Sequence, residues 1–150
     1  MSNRDLLSDP DILRELIMDH YKYPHHHSLV EGNEYLSHHM ASESCIDDIT
    51  VQAKMNQDVI EDIRFDGVAC TISTASTSMM TDLLIGKTKE EAKAIIDEYF
   101  KMIDGKEYDE EMLQEAVAMK NVYKQANRIK CATIGWKAIQ SILESEPSNE

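Results

Sequence analysis

The chain has 150 residues, 42% of them hydrophobic, with 28 acidic side chains against 15 basic ones and a formal net charge of −13. That length supports one domain with a real core, and an apolar fraction of this size is ordinary for a globular protein. Such an acidic surface repels phosphate backbones and anionic lipid, which excludes nucleic acid and membrane as expected partners. No apolar run approaches the roughly 20 residues of a membrane span. The first ten residues contain no signal-peptide core, so the expected location is cytoplasmic. Three cysteines, an odd number, fit reduced thiols in that compartment better than a disulfide framework.

In chain order, the ends, about Met1–Ser8 and Ser145–Glu150, read as loose. Asp9-Pro10 predicts a helix start, with Asp as N-cap and Pro in the first turn. Ile12, Leu13, Leu16, Ile17 and Tyr21 then share one helical stripe, and Tyr23-Pro24 stops it. His25-His26-His27 follows the proline and reads as a solvated turn. A short strand is expected around Glu34–Met40. Ile49, Val51, Ala53 and Met55 alternate with polar residues, Asn56-Gln57-Asp58 turns the chain, and Val59, Glu61, Ile63 and Phe65 continue a second alternating strand. After Gly67 the period becomes helical, through Ile72, Ala75, Met79, Met80, Leu83 and Leu84 to Gly86. Met18, Met79 and Met80 read as core filler, and His20 as a packed or capping residue.

Thr88 and Glu91 predict a capping box. The helix behind it carries Ala92, Ile95, Ile96, Tyr99, Phe100 and Ile103, and Gly105 ends it. Asp109 opens a further acidic helix with Met112, Leu113, Ala116 and Val117 inward. Asn121–Asn127 reads as irregular, and the last helix as roughly Arg128–Leu143. Strands first and helices afterwards define an α+β domain.

The chemistry gathers on the cysteines. Cys70 lies where a strand hands over to a helix, and Cys131 falls in the expected first turn of the last one. Exposed N–H groups there would favour thiolate over thiol, with Arg128 and Lys130 pushing the same way. Cys45 sits in a polar loop with Asp47 two residues on. No pair has CxxC spacing, so only the fold can bring them together. Cys45, Asp47, Cys70 and Cys131 would make one closed tetrahedral set for Zn²⁺. The competing reading is three small core residues. His38-His39 is a weaker source of a substitute ligand.

From Leu13 to Leu143 the sequence resembles the U-type iron–sulfur assembly proteins, in particular the SufU branch. The resemblance is carried by Glu15-Leu16-Ile17-Met18-Asp19-His20-Tyr21-Lys22, Val59-Ile60-Glu61-Asp62-Ile63-Arg64-Phe65, Ser76-Thr77-Ser78-Met79-Met80-Thr81-Asp82 and Ala126-Asn127-Arg128-Ile129-Lys130-Cys131-Ala132-Thr133. The long interval between the second and third cysteines, and Lys130 before the third, fall on the SufU rather than the IscU side. The resemblance implies a NifU-like fold, a three-stranded antiparallel sheet packed against helices. It implies Zn²⁺ held by Cys45, Asp47, Cys70 and Cys131, and sulfurtransferase activity in which Cys45 accepts persulfide sulfur from a SufS-type cysteine desulfurase. Arg128 would hold the released thiolate electrostatically. Downstream iron–sulfur assembly proteins would be the further partners. The alternatives are a scaffold binding [2Fe–2S] or iron on the same thiolates, and a non-catalytic relative with structural zinc. The loops depart from the family pattern. Ile46 stands where a Gly usually follows the first cysteine, which would strain a positive φ there. Gly67-Val68-Ala69 replaces Gly-x-Gly before the second.

Overall fold

The computed structural model describes residues 8–32, 34–41 and 46–145. The expected loose ends therefore lie largely outside the described residues, although Ser8 and Ser145 fall within them.

Helix α1 (Pro10–Lys22) begins as its sequence requires: the Asp9 side chain accepts from the Asp11 N–H, and Pro10 occupies the first turn. Its buried residues are Leu13 and His20. Tyr21 and Met18, 41% and 43% exposed, point outward instead of filling the core. Strands β1 (Tyr35–Ala41), β2 (Asp48–Asn56) and β3 (Val59–Val68) form an antiparallel sheet in the order β1-β2-β3. In β2 the expected alternation holds at Ile49, Val51 and Ala53, all buried.

In β3 the phase differs from the expected one. Lys54 pairs with Asp62 but Met55 with Ile60, so a bulge inserts Glu61. The extra residue re-aims every side chain on its turn-proximal side. Ile60, Ile63 and Phe65 are the buried residues, whereas Val59 is 38% exposed.

The outer edge of β3 is covered rather than left to template aggregation. The Phe65 N–H donates to the His26 carbonyl at 3.1 Å. Farther along, Ile60 N–H donates to Lys87 O and Gly86 N–H to Ile60 O. The segment leading to β1 also crosses the sheet: Gln52 accepts from Val30 N–H at 2.8 Å and donates to Val30 O at 2.9 Å. This satisfies an amide that is only 9% exposed.

Helix α2 (Thr71–Leu84) is the centre of the molecule. It buries Ala75, Met79, Met80 and Leu84, and also Ser73, Thr74, Ser76, Thr77, Ser78 and Thr81. The small side chains let neighbours approach closely, and two of the hydroxyls find partners within the helix: Thr77 donates to Ser73 O at 2.7 Å and Thr81 to Ser78 O at 2.7 Å. Helix α3 (Lys89–Ile103) carries the Thr88/Glu91 capping box in full. Thr88→Ala is expected to cost about 1 kcal/mol in urea unfolding; an unchanged midpoint would deny the cap that role.

The expected acidic helix does not continue. It runs only from Glu110 to Leu113 (α4) and passes into a 3₁₀ segment, Gln114–Met119, because Gln114 adopts φ 48°. Leu113, Ala116 and Val117 are nonetheless buried. A second 3₁₀ turn, Val122–Lys124, precedes α5 (Ala126–Ser145). α5 packs on α2, β1 and β2. Gly135 makes the α2–α5 approach possible, since a Cβ there would lie 2.2 Å from Thr77 Oγ1. Trp136, fully buried, stacks on Tyr99 of α3 at 3.7 Å between ring centroids, and Tyr99 Oη donates to Ala132 O at 2.7 Å.

Candidate metal centre

Asp47 immediately precedes β2 and is 1% exposed. Its carboxylate is held from two sides at the start of α2. The Cys70 N–H donates to Oδ1 at 2.8 Å, and the Ser73 hydroxyl donates to Oδ2. Cys70 is the N-cap of α2, and its Sγ accepts from the Ser73 N–H at 3.4 Å, as a side-chain cap does. Cys70 Sγ lies 3.9 Å from Asp47 Oδ2. Cys131 comes to the same place from α5 and is 3% exposed. One donor atom from each of Asp47, Cys70 and Cys131 lies within 4.8 Å of the others.

Cys131 does not sit in the first turn of its helix. The helix starts at Ala126, so Cys131 stands in its second turn, past the exposed N–H groups. Burial raises its pKa well above the usual thiol range, and the neighbouring Cys70 and Asp47 raise it further. Arg128 and Lys130 are exposed and do not reverse that push.

The donor set suits a cation. Without one the raised pKa keeps Cys131 a neutral thiol beside the Asp47 carboxylate, and both sulfurs could ionise there only with a compensating positive charge. A divalent ion supplies it, and two sulfurs with one oxygen suit Zn²⁺ or iron. Cys45, the fourth expected ligand, lies outside the described residues, two positions before Asp47 in the chain. Ile46, the residue after Cys45, is 66% exposed.

Ser73 was not legible as part of this centre. Its signal is the spacing Cys70-x-x-Ser73 at a helix start, which places the hydroxyl one turn in, beneath the capping sulfur. His39 pairs with Asp48 at 2.6 Å on the exposed face. The histidine triplet is partly solvated, as expected, and also paired: His25 Nδ1 meets Asp82 Oδ2 at 2.5 Å, His26 Nδ1 meets Thr81 Oγ1 at 2.9 Å, and His27 Nε2 meets Asp66 Oδ1 at 3.2 Å.

A three-stranded sheet backed by helices, with thiols and a carboxylate clustered at one helix start, defines a small α+β protein with a candidate site for a thiophilic metal. The chain belongs to the family of the NifU-like N-terminal domain, whose model matches residues 12–144. It is 43% identical over 130 residues to the iron–sulfur cluster assembly scaffold protein IscU of Streptococcus pyogenes serotype M1, covering 86% of this chain and 80% of that protein. It is 38% identical over 136 residues to the zinc-dependent sulfurtransferase SufU of Bacillus subtilis strain 168, covering 90% and 91%. The crystal structure of FiSufU from Fervidobacterium islandicum AW-1 superposes with a TM-score of 0.79 at 34% identity, over 86% of this chain and 94% of that one. Among the described residues, no helix is long and apolar enough to cross a membrane.

Proposed function

We infer that this single-domain protein is a zinc-dependent sulfurtransferase of iron–sulfur cluster assembly, working in the cytoplasm with a SufS-type cysteine desulfurase and passing sulfur to downstream assembly proteins. The observation that carries this reading is the meeting of Asp47, Cys70 and Cys131, with donor atoms within 4.8 Å of one another. Cys45 is then the fourth ligand and the sulfur acceptor. The B. subtilis relative, named a zinc-dependent sulfurtransferase, supports it over nearly the whole chain.

Bound Zn²⁺ would keep the sulfurs as thiolates, the form that attacks disulfide-type bonds. The Asp47 carboxylate is already oriented by Cys70 N–H and Ser73 Oγ, so it needs no reordering to ligate. The Cys45 thiolate attacks the terminal sulfur of the partner's cysteine persulfide. A Cys45 S–S bond forms, the partner's S–S bond breaks, and its cysteine leaves as thiolate. Sulfur moves as a neutral atom, so no external oxidant or reductant enters. Arg128, exposed in the first turn of α5 and three residues before Cys131, is proposed to attract the anionic sulfur on Cys45. The charge of −13 would draw in a basic docking surface and make association weaken with salt.

A scaffold for [2Fe–2S] on the same side chains is the second reading, favoured by the name of the S. pyogenes relative. Elemental analysis separates the two: about one zinc per chain, without iron or acid-labile sulfide, is expected for the sulfurtransferase. Adding the protein to a cysteine desulfurase should raise alanine production, and Cys45→Ala should return it to the basal rate. Normal stimulation by Cys45→Ala would refute the acceptor role. Zinc with no stimulation by the parent protein would leave only a structural ion.

A further inference from the structure

At the other end of α2 from Cys70, a second group of ligand-type side chains meets. His20 of α1 is 2% exposed. His25 comes from the turn after α1, and Asp82 from the last turn of α2. One ligand atom from each of His20, His25 and Asp82 lies within 4.8 Å of the others. The two imidazole rings are 4.6 Å apart. Asp82 is twelve residues beyond Cys70 along the helix, about 18 Å at 1.5 Å per residue, so the two groups cannot share an ion.

The surroundings of His20 fix its proton. Nε2 lies 3.2 Å from Glu115 Oε1, and a carboxylate oxygen can only accept from it, so Nε2 carries the hydrogen. The hydrogen bond from His20 holds the Glu115 carboxyl below its usual range, in keeping with an ionised acceptor. In the neutral ring, Nδ1 then bears the lone pair. It is met at 2.7 Å by Ser78 Oγ, a rotatable hydroxyl that also accepts from the His25 N–H at 2.8 Å. A histidine whose far nitrogen donates to a carboxylate is the arrangement that orients an imidazole toward a metal.

Beside this group is a cavity of about 130 Å³ lined by His20, Met79, Asp82, Leu83, Gln114 and Glu115. It has room for waters to complete a coordination shell. We propose that His20, His25 and Asp82 form a second binding site for a divalent transition-metal ion, separate from the cysteine centre. Two imidazoles, a carboxylate and water suit Zn²⁺, Co²⁺, Ni²⁺ or Fe²⁺, and lack the thiolates that define the other centre.

His25 Nδ1 and Asp82 Oδ2, now 2.5 Å apart, are closer than two ligands of one tetrahedral ion, which stand about 3.3 Å apart at bond lengths near 2.0 Å. Metal entry separates them by roughly 0.8 Å on that geometry. Both side chains are partly solvated, at 45% and 38% exposure, so they can part freely, while the buried Ser78 hydroxyl must turn away from His20 Nδ1 to free its lone pair. The hydrogen on His25 Nδ1 passes through solvent to Nε2, and the ring stays neutral. Binding would fasten the histidine turn to α2 more firmly than its hydrogen bonds do.

The test is a Co²⁺ titration of the full-length protein already loaded with one equivalent of Zn²⁺. One further Co²⁺ per chain is expected, with visible d–d absorption and no sulfur-to-metal charge-transfer band. His25→Asn, whose amide can still donate to Asp82, and Asp82→Asn should each weaken that uptake at least about tenfold, with the zinc equivalent retained. No second equivalent, uptake unchanged in both variants, or uptake that brings a charge-transfer band would each overturn the site.

Discussion

Gly67→Ala is expected to destabilise the protein by about 3 kcal/mol and to loosen metal binding with it. Gly67 has φ +138°, a region that L side chains rarely adopt, and a Cβ there would lie 2.0 Å from the Asp48 carbonyl oxygen and 3.0 Å from Ile49 Cα. The obstruction is backbone, so no rotamer relieves it. Asp48 must move, and Asp47 is joined to it. The Asp47 carboxylate holds its place through hydrogen bonds from Cys70 and Ser73, which cannot follow a displaced strand end. A melting temperature lower by about 10 °C is expected for a chain of this size, together with reduced zinc retention on dialysis against a weak chelator. A variant melting within about 2 °C of the parent would mean that the approach of β3 to β2 relaxes far more easily than this packing implies.

Trp136 gives the second large effect. It is the chain's one tryptophan and is fully buried, stacked on Tyr99 with the rings 3° from parallel. Trp136→Ala should cost about 3–5 kcal/mol through lost burial and the cavity left behind. Trp136→Phe should cost far less, about 1–2 kcal/mol, for a specific reason. The indole Nε1 is buried and meets no acceptor among the described residues, so its removal relieves an unsatisfied donor while an aromatic face remains against Tyr99. Urea unfolding of the two variants, compared at equal m-values, checks the difference. Equal losses would show that shape filling by the second indole ring, not ring stacking, dominates the site.

The helix starts at Asp9 and Thr88 were legible because their signals are local: a short polar side chain bonds to N–H groups two or three residues away. The β2 alternation was legible because period two needs no knowledge of a partner. The phase of β3 was hidden, since a bulge exists only relative to the strand it faces. The burial of α2's hydroxyl face was hidden for a similar reason. Serine and threonine read as solvent-facing until neighbours on several sides cover them. The start of α5, and with it the environment of Cys131, was hidden because Asn127 is a good N-cap type and points to a start at Arg128, whereas the helix begins at Ala126.

The site divides in the same way. Residue types and order identified Asp47, Cys70 and Cys131 as candidate ligands, and the resemblance to a known family supplied the set. Their convergence, the clamp of Ser73 on Asp47, and the joining of His20, His25 and Asp82 depend on contacts between residues 23 to 95 positions apart. By itself, the sequence determined the helices that open at Asp9 and Thr88 and the β2 strand, because capping and periodicity act within a few residues. Only the tertiary structure decided which thiols, imidazoles and carboxylates share a space, because chain folding sets those distances and sequence spacing does not encode them.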